Sequence, residues 1–360
     1  MISPDSFRVS RNYFQTIYLQ IQIDMNSQSN TLPICEVRIP TYKRPKTLRR
    51  VLESLKDQTY PCWKAIVFDN SPEQEAKDVV SDLHDDRIIY QPHPKNIGGP
   101  KNIDLSLQAK SMLGGKYAFS IEDNNYVYPN MIKENIETLQ KENINIILRN
   151  QEIRYDDDNG ISQATGETTR GKWFKQGVYS PIEVHAAMFF CEGLSNGGLF
   201  WDTENIKTDF ALGDFPVQDG WYQEIFRGLK VVEPIYFDAR IGSVYTVIRD
   251  YKSVGRGSRL PGRLATPSKC NKATQAILRY LLDRHGSELI QKAKIIASYN
   301  DENTRILEHQ LLNIMYTEHD FKHVNFINRI FLLCKHFVRA KTAGDGFQLA
   351  LKACDVAQSA

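Results

Sequence analysis

Between residues 33 and 150 the sequence alternates short apolar runs with amphipathic segments, and no other feature limits the possible folds so strongly. In the segment that opens at Pro45, for example, Leu48, Val51 and Leu55 repeat at the spacing of one helical face. Strands that alternate with helices in this way build βαβ units, so we predict an α/β fold with a mainly parallel sheet and helices on both faces. The predicted strands are 34–39, 65–68, 87–91, 117–121 and 144–148, and the predicted helices are 45–55, 71–84, 100–113 and 129–141.

After residue 150 the alternation ends. Residues 151–182 are polar and predict an excursion from the sheet or an antiparallel insertion. Two further strands, at 186–191 and 231–237, are predicted to bracket a helix that begins near Asp219. From residue 267 the pattern is helical only, with segments 268–285, 287–298, 301–316 and 322–342. We therefore predict three parts, which are an N-terminal appendage at 1–30, an α/β domain at 31–265 and a C-terminal helical domain at 266–360.

Composition narrows the functional classes. The 45 basic residues against 43 acidic ones leave a net charge of +2, which argues against a dedicated nucleic-acid-binding protein. No run approaches the roughly 20 apolar residues that a membrane-spanning helix needs. The six cysteines form no C-x-x-C pair, so neither a zinc site nor a disulfide framework is indicated. Without a secretory signal, the sequence predicts a folded protein of the cytoplasm.

Polar residues follow three of the predicted strands directly, as Pro40-Thr41-Tyr42, Asp69-Asn70-Ser71 and Glu122-Asp123-Asn124-Asn125. A fourth polar segment, Asn96 to Asn102, contains the pair Gly98-Gly99, which permits close approach of a ligand to the backbone. Ligands of open parallel sheets bind beyond the carboxyl ends of the strands, so we expect these segments to share one edge. The acidic cluster suits a hard divalent cation bound together with substrate phosphates. Alternatively, it is a strand-ending turn that caps the next helix.

A second acidic residue, Asp219, opens a predicted helix that carries Trp221 and Tyr222. Two interpretations stand: a carboxylate that complements the helix dipole, or a general base in a pocket where rings stack on a sugar. The sequence around Ser195 satisfies G-x-S-x-G, with Asp219 and His285 following in hydrolase order. A serine hydrolase is disfavoured because the residues after Gly198 do not begin a helix.

Several of these motifs occur together in one order. They are Pro40-Thr41-Tyr42, Val67-Phe68-Asp69-Asn70-Ser71, Asn96-Ile97-Gly98-Gly99-Pro100-Lys101-Asn102 and Ser120-Ile121-Glu122-Asp123-Asn124-Asn125. In this order they resemble the nucleotide-sugar domain of family 2 glycosyltransferases, which has the GT-A fold, a Rossmann-like α/β architecture. The resemblance covers about residues 33–240. It implies an inverting transfer of a sugar, of the hexosyltransferase type, from a nucleotide-diphosphate sugar to a hydroxyl group.

The resemblance also implies roles for individual residues. The catalytic base would be Asp219, and the metal, Mn²⁺ or Mg²⁺, would lie at Glu122, Asp123 and Asn124. The donor nucleotide, most often a uridine nucleotide in this family, would be bound by Pro40, Thr41, Tyr42, Arg44, Asp69, Asn96, Gly98, Lys101 and Asp123. The sugar and the acceptor would lie near Gly197, Gly198, Gln218 and Trp221. From its charge, the basic loop 239–266 is predicted either to fold over the diphosphate, with Arg249, Arg256 and Arg259 as candidate contacts, or to be a solvated basic turn.

Two positions depart from the family pattern. The D-x-D position reads Glu122-Asp123-Asn124, and the usual E-D pair reads Gln218-Asp219, which keeps the presumed base. An amide oxygen still coordinates hard cations, so we predict a metal-assisted transferase. The first departure also motivates the alternative of a catalytically impaired nucleotide-sugar or carbohydrate-binding module.

The acceptor implied by the resemblance is a glycan or a lipid-linked saccharide, as in polysaccharide biosynthesis. Segment 321–341 combines apolar residues with Arg and Lys. It is either a helix packed on the α/β domain or an interfacial helix resting on an anionic membrane, at the inner face of which the enzyme would then work.

Overall fold

The protein is described by a computed structural model over residues 32–156, 162–190, 193–213, 220–248 and 277–315. The strands are β1 (Cys35–Thr41), β2 (Trp63–Asp69), β3 (Ile88–Pro92), β4 (Tyr117–Ser120), β5 (Tyr126–Val127), β6 (Ile146–Asp156), β7 (Ser162–Thr168), β8 (Gly177–Tyr179), β9 (Leu199–Asp202) and β10 (Ile235–Ile248). The helices are α1 (Pro45–Lys56), α2 (Ala76–Asp82), α3 (Gly99–Ser106), α4 (Met131–Glu142), α5 (Pro181–Ala186), α6 (Gly220–Leu229), α7 (277–285), α8 (Ser287–Ala297) and α9 (Asp301–Met315).

The first half of the chain forms as its pattern predicts. Pro45 occupies the first turn of α1, where its missing N–H has no partner to lose. The predicted apolar face of α1 is buried, from Leu48 to Leu55. Every residue of β1 is buried, which is why this strand has no polar face turned to water.

The strands of the described residues form one sheet in the order β3-β2-β1-β4-β9-β6-β10-β5, with β7 added to β6 and β8 to β10. The neighbours β3, β2, β1 and β4 are all parallel. Beyond β4 the sheet is mixed, because β9 is antiparallel to both β4 and β6 while β6 and β10 are parallel. The predicted α/β class is confirmed, and the parallel part is the half that carries the motifs. The polar stretch after 150 does contain an antiparallel addition, since β7 pairs with β6.

The strands predicted at 144–148 and 231–237 are longer in the structure, where they end at Asp156 and Ile248 as β6 and β10. Three other element predictions are wrong in detail. The strand predicted at 186–191 is instead the end of α5 and a 3₁₀ turn at Ala187–Phe190. Ser180 explains this, because its backbone N–H donates to the Glu183 carboxylate at 2.8 Å and so begins a helix just before the apolar run. The helix predicted to start at Ser71 begins only at Ala76, since the Ser71 hydroxyl accepts from the Lys43 backbone N–H at 2.8 Å.

The third is the helix predicted at 100–113, which ends at Ser106. Two buried charged side chains of β1 bind the backbone of the loop that follows α3. The Glu36 carboxylate accepts from the backbone N–H groups of Leu113 and Gly115 at 2.6 and 2.9 Å. Arg38 donates to the backbone carbonyl of Lys110 at 2.7 Å. These long-range partners satisfy the loop backbone that a longer helix would have satisfied internally.

The C-terminal helices α7 to α9 contribute apolar side chains to the same hydrophobic cluster as α5, α6 and β9. From these helices come Ile277, Leu278, Leu281, Leu289, Ala293, Ile296, Ala297 and Leu307. The predicted appendage 1–30, the predicted boundary near 265 and the segment 321–341 lie outside the described residues. Among the residues that are described, no helix is long and apolar enough to cross a membrane.

Candidate active site

The sheet brings the predicted polar segments to one edge. Strand β1 ends at Thr41 opposite Asp69, the last residue of β2, and β4 ends at Ser120 opposite Arg38 of β1. The three strands are neighbours and parallel, so their carboxyl ends lie side by side. Backbone hydrogen bonds continue past the strand ends, from Asn70 N–H to the Thr41 carbonyl at 3.0 Å. We call residues 41–44, 69–71, 96–101 and 122–125 the carboxyl edge.

Asp123 organises the end of β1. Its Oδ2 accepts hydrogen bonds from the Thr41 hydroxyl at 2.9 Å and from the Tyr42 backbone N–H at 3.0 Å. Its Oδ1 accepts from Arg44 Nη1 at 2.9 Å, in an ion pair whose acidic partner is buried. Both carboxylate oxygens thus accept from protein donors, and this orders the 41–44 turn. The adjoining Tyr42 side chain is 43% exposed, which leaves its ring available to a ligand.

The end of β2 is ordered by its own polar side chains. Asp69 is buried, and its two oxygens accept from the Ser71 backbone N–H at 2.9 Å and from the Tyr90 hydroxyl at 3.0 Å. Asn70 reaches the neighbouring segment, because its amide donates to Asn96 Oδ1 at 2.9 Å and its Oδ1 accepts from the Ile97 backbone N–H at 2.8 Å. The Asp69 and Asn96 segments, predicted separately, are therefore one connected structure.

The 96–101 segment turns sharply into α3. Gly98 has a φ of +88°, a backbone conformation that side chains rarely adopt, and its N–H donates to Asn96 Oδ1 at 2.8 Å. The N-terminus of α3 follows at Gly99, with Pro100 in its first turn. Lys101 is exposed on that first turn. Backbone N–H groups of a helix start, a nearby lysine and an open glycine turn together suit a phosphate group.

Glu122 has an unusual electrostatic environment. Removal from water, followed by repulsion from the Glu224 and Asp123 carboxylates, raises the pKa of Glu122 to about 7. The Arg44 guanidinium and a hydrogen bond with the Asn196 side chain lower the pKa of Glu122, but by less. Carboxylates that crowd each other in this way favour a bound cation, because a positive charge between them relieves the repulsion.

The side chain of Asn124 shows whether the site fits a metal ion. Its Nδ2 donates to the Thr246 backbone carbonyl at 2.8 Å, while its Oδ1 is buried without a hydrogen-bond partner. In the part of the chain that the structure covers, no group of three or more His, Cys, Asp and Glu side chains is arranged to hold a metal ion. Mg²⁺ typically takes one or two protein oxygens and completes its shell with substrate phosphates and water. The residues present fit a cation held in that shared way, with Asn124 and Glu122 as the protein ligands.

The predicted acceptor-side glycines lie in a close-packed 3₁₀ turn, Asn196–Gly198, that rests on β6. A Cβ atom on Gly197 would lie 2.9 Å from Gln151 Nε2, and one on Gly198 would lie 2.5 Å from the Arg149 carbonyl oxygen. Only glycine fits either position without a shift of its neighbours. The Ser195 hydroxyl donates to Gln151 Oε1 at 2.7 Å, and His285 instead pairs with His185, so the two hydrolase-order residues have separate partners.

Four buried or half-buried residues of the site were missed at the sequence level: Asp104, Arg170, Glu224 and Arg227. Glu224 accepts from the Asn196 backbone N–H at 3.3 Å and forms an ion pair with Arg170 at 3.0 Å. Arg227 pairs with Asp104 at 3.0 Å. The only local signal was the spacing of Glu224 and Arg227 on one face of a short helix, which an exposed ion-pairing face would also show.

Some predicted residues are not among those described. Gln218, Asp219, Arg249, Arg256 and Arg259 lie outside the described ranges, and Trp221 lies in the first turn of α6. Their roles stay predictions.

Comparison with known proteins agrees with this geometry. Residues 36–198 match the family described as Glycosyl transferase family 2, whereas no curated protein matches the sequence. The crystal structure of S. aureus TarS 1-349 is 13% identical, with a TM-score of 0.50, and the match covers 88% of this chain and 80% of that one. The complex of the same protein with UDP is 15% identical over 74% of this chain and 70% of that one, with a TM-score of 0.49. The complex with UDP-GlcNAc is 14% identical over 80% and 76%, also with a TM-score of 0.49. At such identities the TarS 1-349 likeness is one of fold alone. The family 2 glycosyltransferase match covers residues 36–198, the stretch that contains the carboxyl edge.

Proposed function

We propose that the protein is an inverting glycosyltransferase that moves a sugar from a UDP-sugar to a hydroxyl group of a glycan or a lipid-linked saccharide. The observation that carries the proposal is the carboxyl edge. There the ends of three neighbouring parallel strands bring together an ordered turn with an exposed tyrosine, an asparagine-linked glycine turn and an acidic cluster. A donor with a base, a diphosphate and a cation needs three such features in a row.

Each feature has a role in binding the donor. The exposed ring of Tyr42 offers a stacking surface to a base. The family resemblance implies that Asp69, at the end of the adjacent strand, contacts uracil. The Gly98 turn leads into the start of α3, where the backbone N–H groups of Gly99 and Lys101 are suited to negative charge. The family resemblance favours uridine as the nucleoside.

Asn124 and Glu122 would hold a divalent cation, Mn²⁺ or Mg²⁺, together with the diphosphate. When bound, such a cation neutralises charge on the departing nucleoside diphosphate. The chain's own part is to keep the site ordered before the donor arrives: Asp123 fixes the 41–44 turn, and the Thr246 carbonyl fixes the Asn124 amide so that its oxygen stays free. Such preorganisation lowers the cost of binding.

Asp219 is proposed as the base that removes the proton from the acceptor hydroxyl while its oxygen attacks the anomeric carbon. The C–O bond to the diphosphate breaks as the new glycosidic bond forms, so one displacement inverts the anomeric configuration. The close-packed Asn196–Gly198 turn supports an acceptor next to the sugar, because its glycines keep side chains out of that space. Arg249, Arg256 and Arg259 are proposed to contact the diphosphate.

The test begins with binding. The melting temperature of the full chain is measured with UDP, GDP, dTDP and CMP and with their sugar conjugates, each with and without Mn²⁺ or Mg²⁺. A ligand present at a hundred times its Kd stabilises the native state by about 2.7 kcal/mol. We expect the uridine series alone to raise the melting temperature, and to do so more strongly with metal. Release of UDP from the stabilising UDP-sugar is then measured, with and without saccharide acceptors.

Two matched variants sharpen the result. Asn124→Ala removes the unpartnered amide oxygen and is expected to abolish the metal-dependent part of the stabilisation. Asn145→Ala is the control, because Asn145 lies at the amino end of β6, on the opposite edge of the sheet, and bonds Glu233 there. Asp219→Asn is expected to keep donor binding and lose transfer. Transfer that survives in Asp219→Asn would remove Asp219 from the mechanism, and a melt that no nucleotide changes would remove the proposal.

The non-enzymatic alternative is favoured by a single observation, the neutral amide of Asn124 at the expected metal position. It predicts that uridine nucleotides stabilise the wild-type protein and that no UDP-sugar is consumed with any acceptor or metal.

A further inference from the structure

Helices α3 and α6 are joined by two matched polar contacts. Gln223 Nε2 donates to the Pro100 backbone carbonyl at 3.1 Å, and Arg227 Nη2 donates to Asp104 Oδ1 at 3.0 Å. The contact residues are four apart on each helix, so both pairs lie along one line of contact. Helix α3 follows directly on the Gly98 turn of the carboxyl edge. The contacts therefore tie α6 to the helix that begins at the donor-binding segment.

Arg227 has a second partner. Its Nη1 donates to Asn196 Oδ1 at 2.9 Å, while Nη2 remains on Asp104. The side chain is fully buried, at 0% exposure. The planar guanidinium is the side chain that can hold two acceptors at fixed separation, whereas a lysine ammonium is a point charge on a flexible stem. Arg227 thus links the acceptor-side turn to α3 through one rigid group.

Asp104 in turn holds a third piece of chain. Its Oδ1 accepts from the Leu212 backbone N–H at 2.7 Å and its Oδ2 from the Gly213 backbone N–H at 2.9 Å. Helix α6 begins at Gly220 and is attached to the same carboxylate through Arg227. The residues before and after segment 214–219 are therefore anchored to one side chain.

Asn196 connects this group to the acidic cluster. Its backbone N–H donates to Glu224 Oε1 at 3.3 Å, and its side chain is a hydrogen-bond partner of Glu122. The contacts run from Glu122 through Asn196 and Arg227 to Asp104, and they join β4, the 3₁₀ turn, α6 and α3. An ion pair with defined acceptors adds a directional constraint to the apolar packing of these elements.

We infer that Asp104 and Arg227 are positioning residues of the transfer reaction, which set the acceptor-side turn Asn196–Gly198 and the start of α6 at a fixed distance from the donor-binding segment Gly98–Lys101. The inference rests on the proposed function. Neither residue contacts the donor in this arrangement; each acts through the segments it holds. Misplacement of reacting groups by about 1 Å costs about 100-fold in rate. Loss of the double contact of Arg227 with Asp104 and Asn196 should therefore lower kcat.

The decisive variant is Arg227→Lys, which keeps the buried positive charge for Asp104 but cannot hold Asn196 at the same time. The probes are UDP, whose Kd is measured by calorimetry, and UDP-glucose, UDP-galactose, UDP-GlcNAc and UDP-GalNAc. Turnover of each donor is followed as UDP release with and without saccharide acceptors. We expect kcat to fall by about 100-fold while KM for the donor and the Kd of UDP stay within about threefold. Asp104→Asn, which keeps the shape of the carboxylate, is expected to show the same fall in kcat with a similar KM and Kd.

Arg149→Lys is the matched control. Arg149 is a similarly buried arginine with ion pairs to Asp238 at 3.1 Å and to Glu134 at 2.5 Å. It joins β6 to β10 and α4, whereas Arg227 joins α6 to α3. Arg149→Lys is expected to keep the wild-type kcat and KM at temperatures well below its melt. Equal losses of kcat in Arg149→Lys and Arg227→Lys, or an unchanged kcat in Arg227→Lys, would overturn the inference and leave the proposed function in place. A wild-type chain that uridine nucleotides do not stabilise, and that releases no UDP from any of the four donors with or without saccharide acceptors, would overturn both.

Discussion

A buried histidine pair makes the stability of this protein depend on pH. His185 in α5 is 2% exposed, and its Nδ1 lies 3.1 Å from Nε2 of His285 in α7. Burial, the nearby His285 and the positive charge of Arg284 lower the pKa of His185 to about 4. Burial and Arg284 also lower the pKa of His285, against the opposing effect of Glu288. In the folded protein at neutral pH, His185 is therefore uncharged.

The sign of the effect follows from the proton balance. In the unfolded chain His185 titrates near its ordinary pKa of 6.5, so below that pH the unfolded state binds the proton more readily than the folded state. The contribution of His185 is fully present above pH 6.5 and is lost progressively as the pH falls towards 4. The difference of about 2.5 pKa units corresponds to about 3 kcal/mol of unfolding free energy.

The prediction is tested by urea unfolding of the wild-type chain and of His185→Gln at pH values from about 7.5 to about 4.5. Carboxylates titrate in both proteins, so the informative quantity is the difference between the two curves. As the pH falls through this range, the wild type should lose about 2 to 3 kcal/mol of unfolding free energy relative to His185→Gln. His285→Gln should keep most of the pH dependence, because burial is the largest cause of the shift. Parallel curves for wild type and His185→Gln would refute the reasoning.

Three further variants test the site and its support. Asp123→Asn gives an amide with a single acceptor oxygen where Thr41, Tyr42 and Arg44 now donate; it should weaken UDP binding by about tenfold in calorimetry, and an unchanged Kd would contradict the role of the 41–44 turn. Gly193→Ala would place a Cβ 2.3 Å from the carbonyl carbon of Glu224; chemical denaturation should show a loss of about 2 kcal/mol or more, whereas Gly99→Ala, which meets nothing within 4 Å, should leave the midpoint near that of the wild type. Glu36→Gln leaves the fully buried Arg38 without its ion-pair partner; the free energy of unfolding should fall by about 3 to 5 kcal/mol, and a wild-type urea midpoint would show that the backbone N–H contacts of Glu36 do not need its charge.

Prediction from the sequence worked best where a local pattern carries the information. The order of strands and helices up to residue 150 depends on apolar periodicity and on Pro and Gly positions, and the structure follows it with shifted ends. The strand prediction for the apolar run at 186–191 was wrong because a short apolar run is compatible with a buried helix as well as with a buried strand. The start of this helix is marked in the sequence by Ser180 and Glu183, which form a capping pair.

For the site, too, some features follow from the local sequence and others only from the tertiary structure. The amino-acid sequence by itself determined that Thr41, Asp69 and Asn124 lie at or just after the ends of β1, β2 and β4. Because parallel strands end at one edge, these residues had to share that edge. Only the tertiary structure decided what each one binds: that Asp123 holds Thr41, and that Arg227 reaches Asp104, 123 positions away. Periodicity reports which face of an element is buried. The partner of a buried charge depends on how distant elements pack, and no local pattern records that choice.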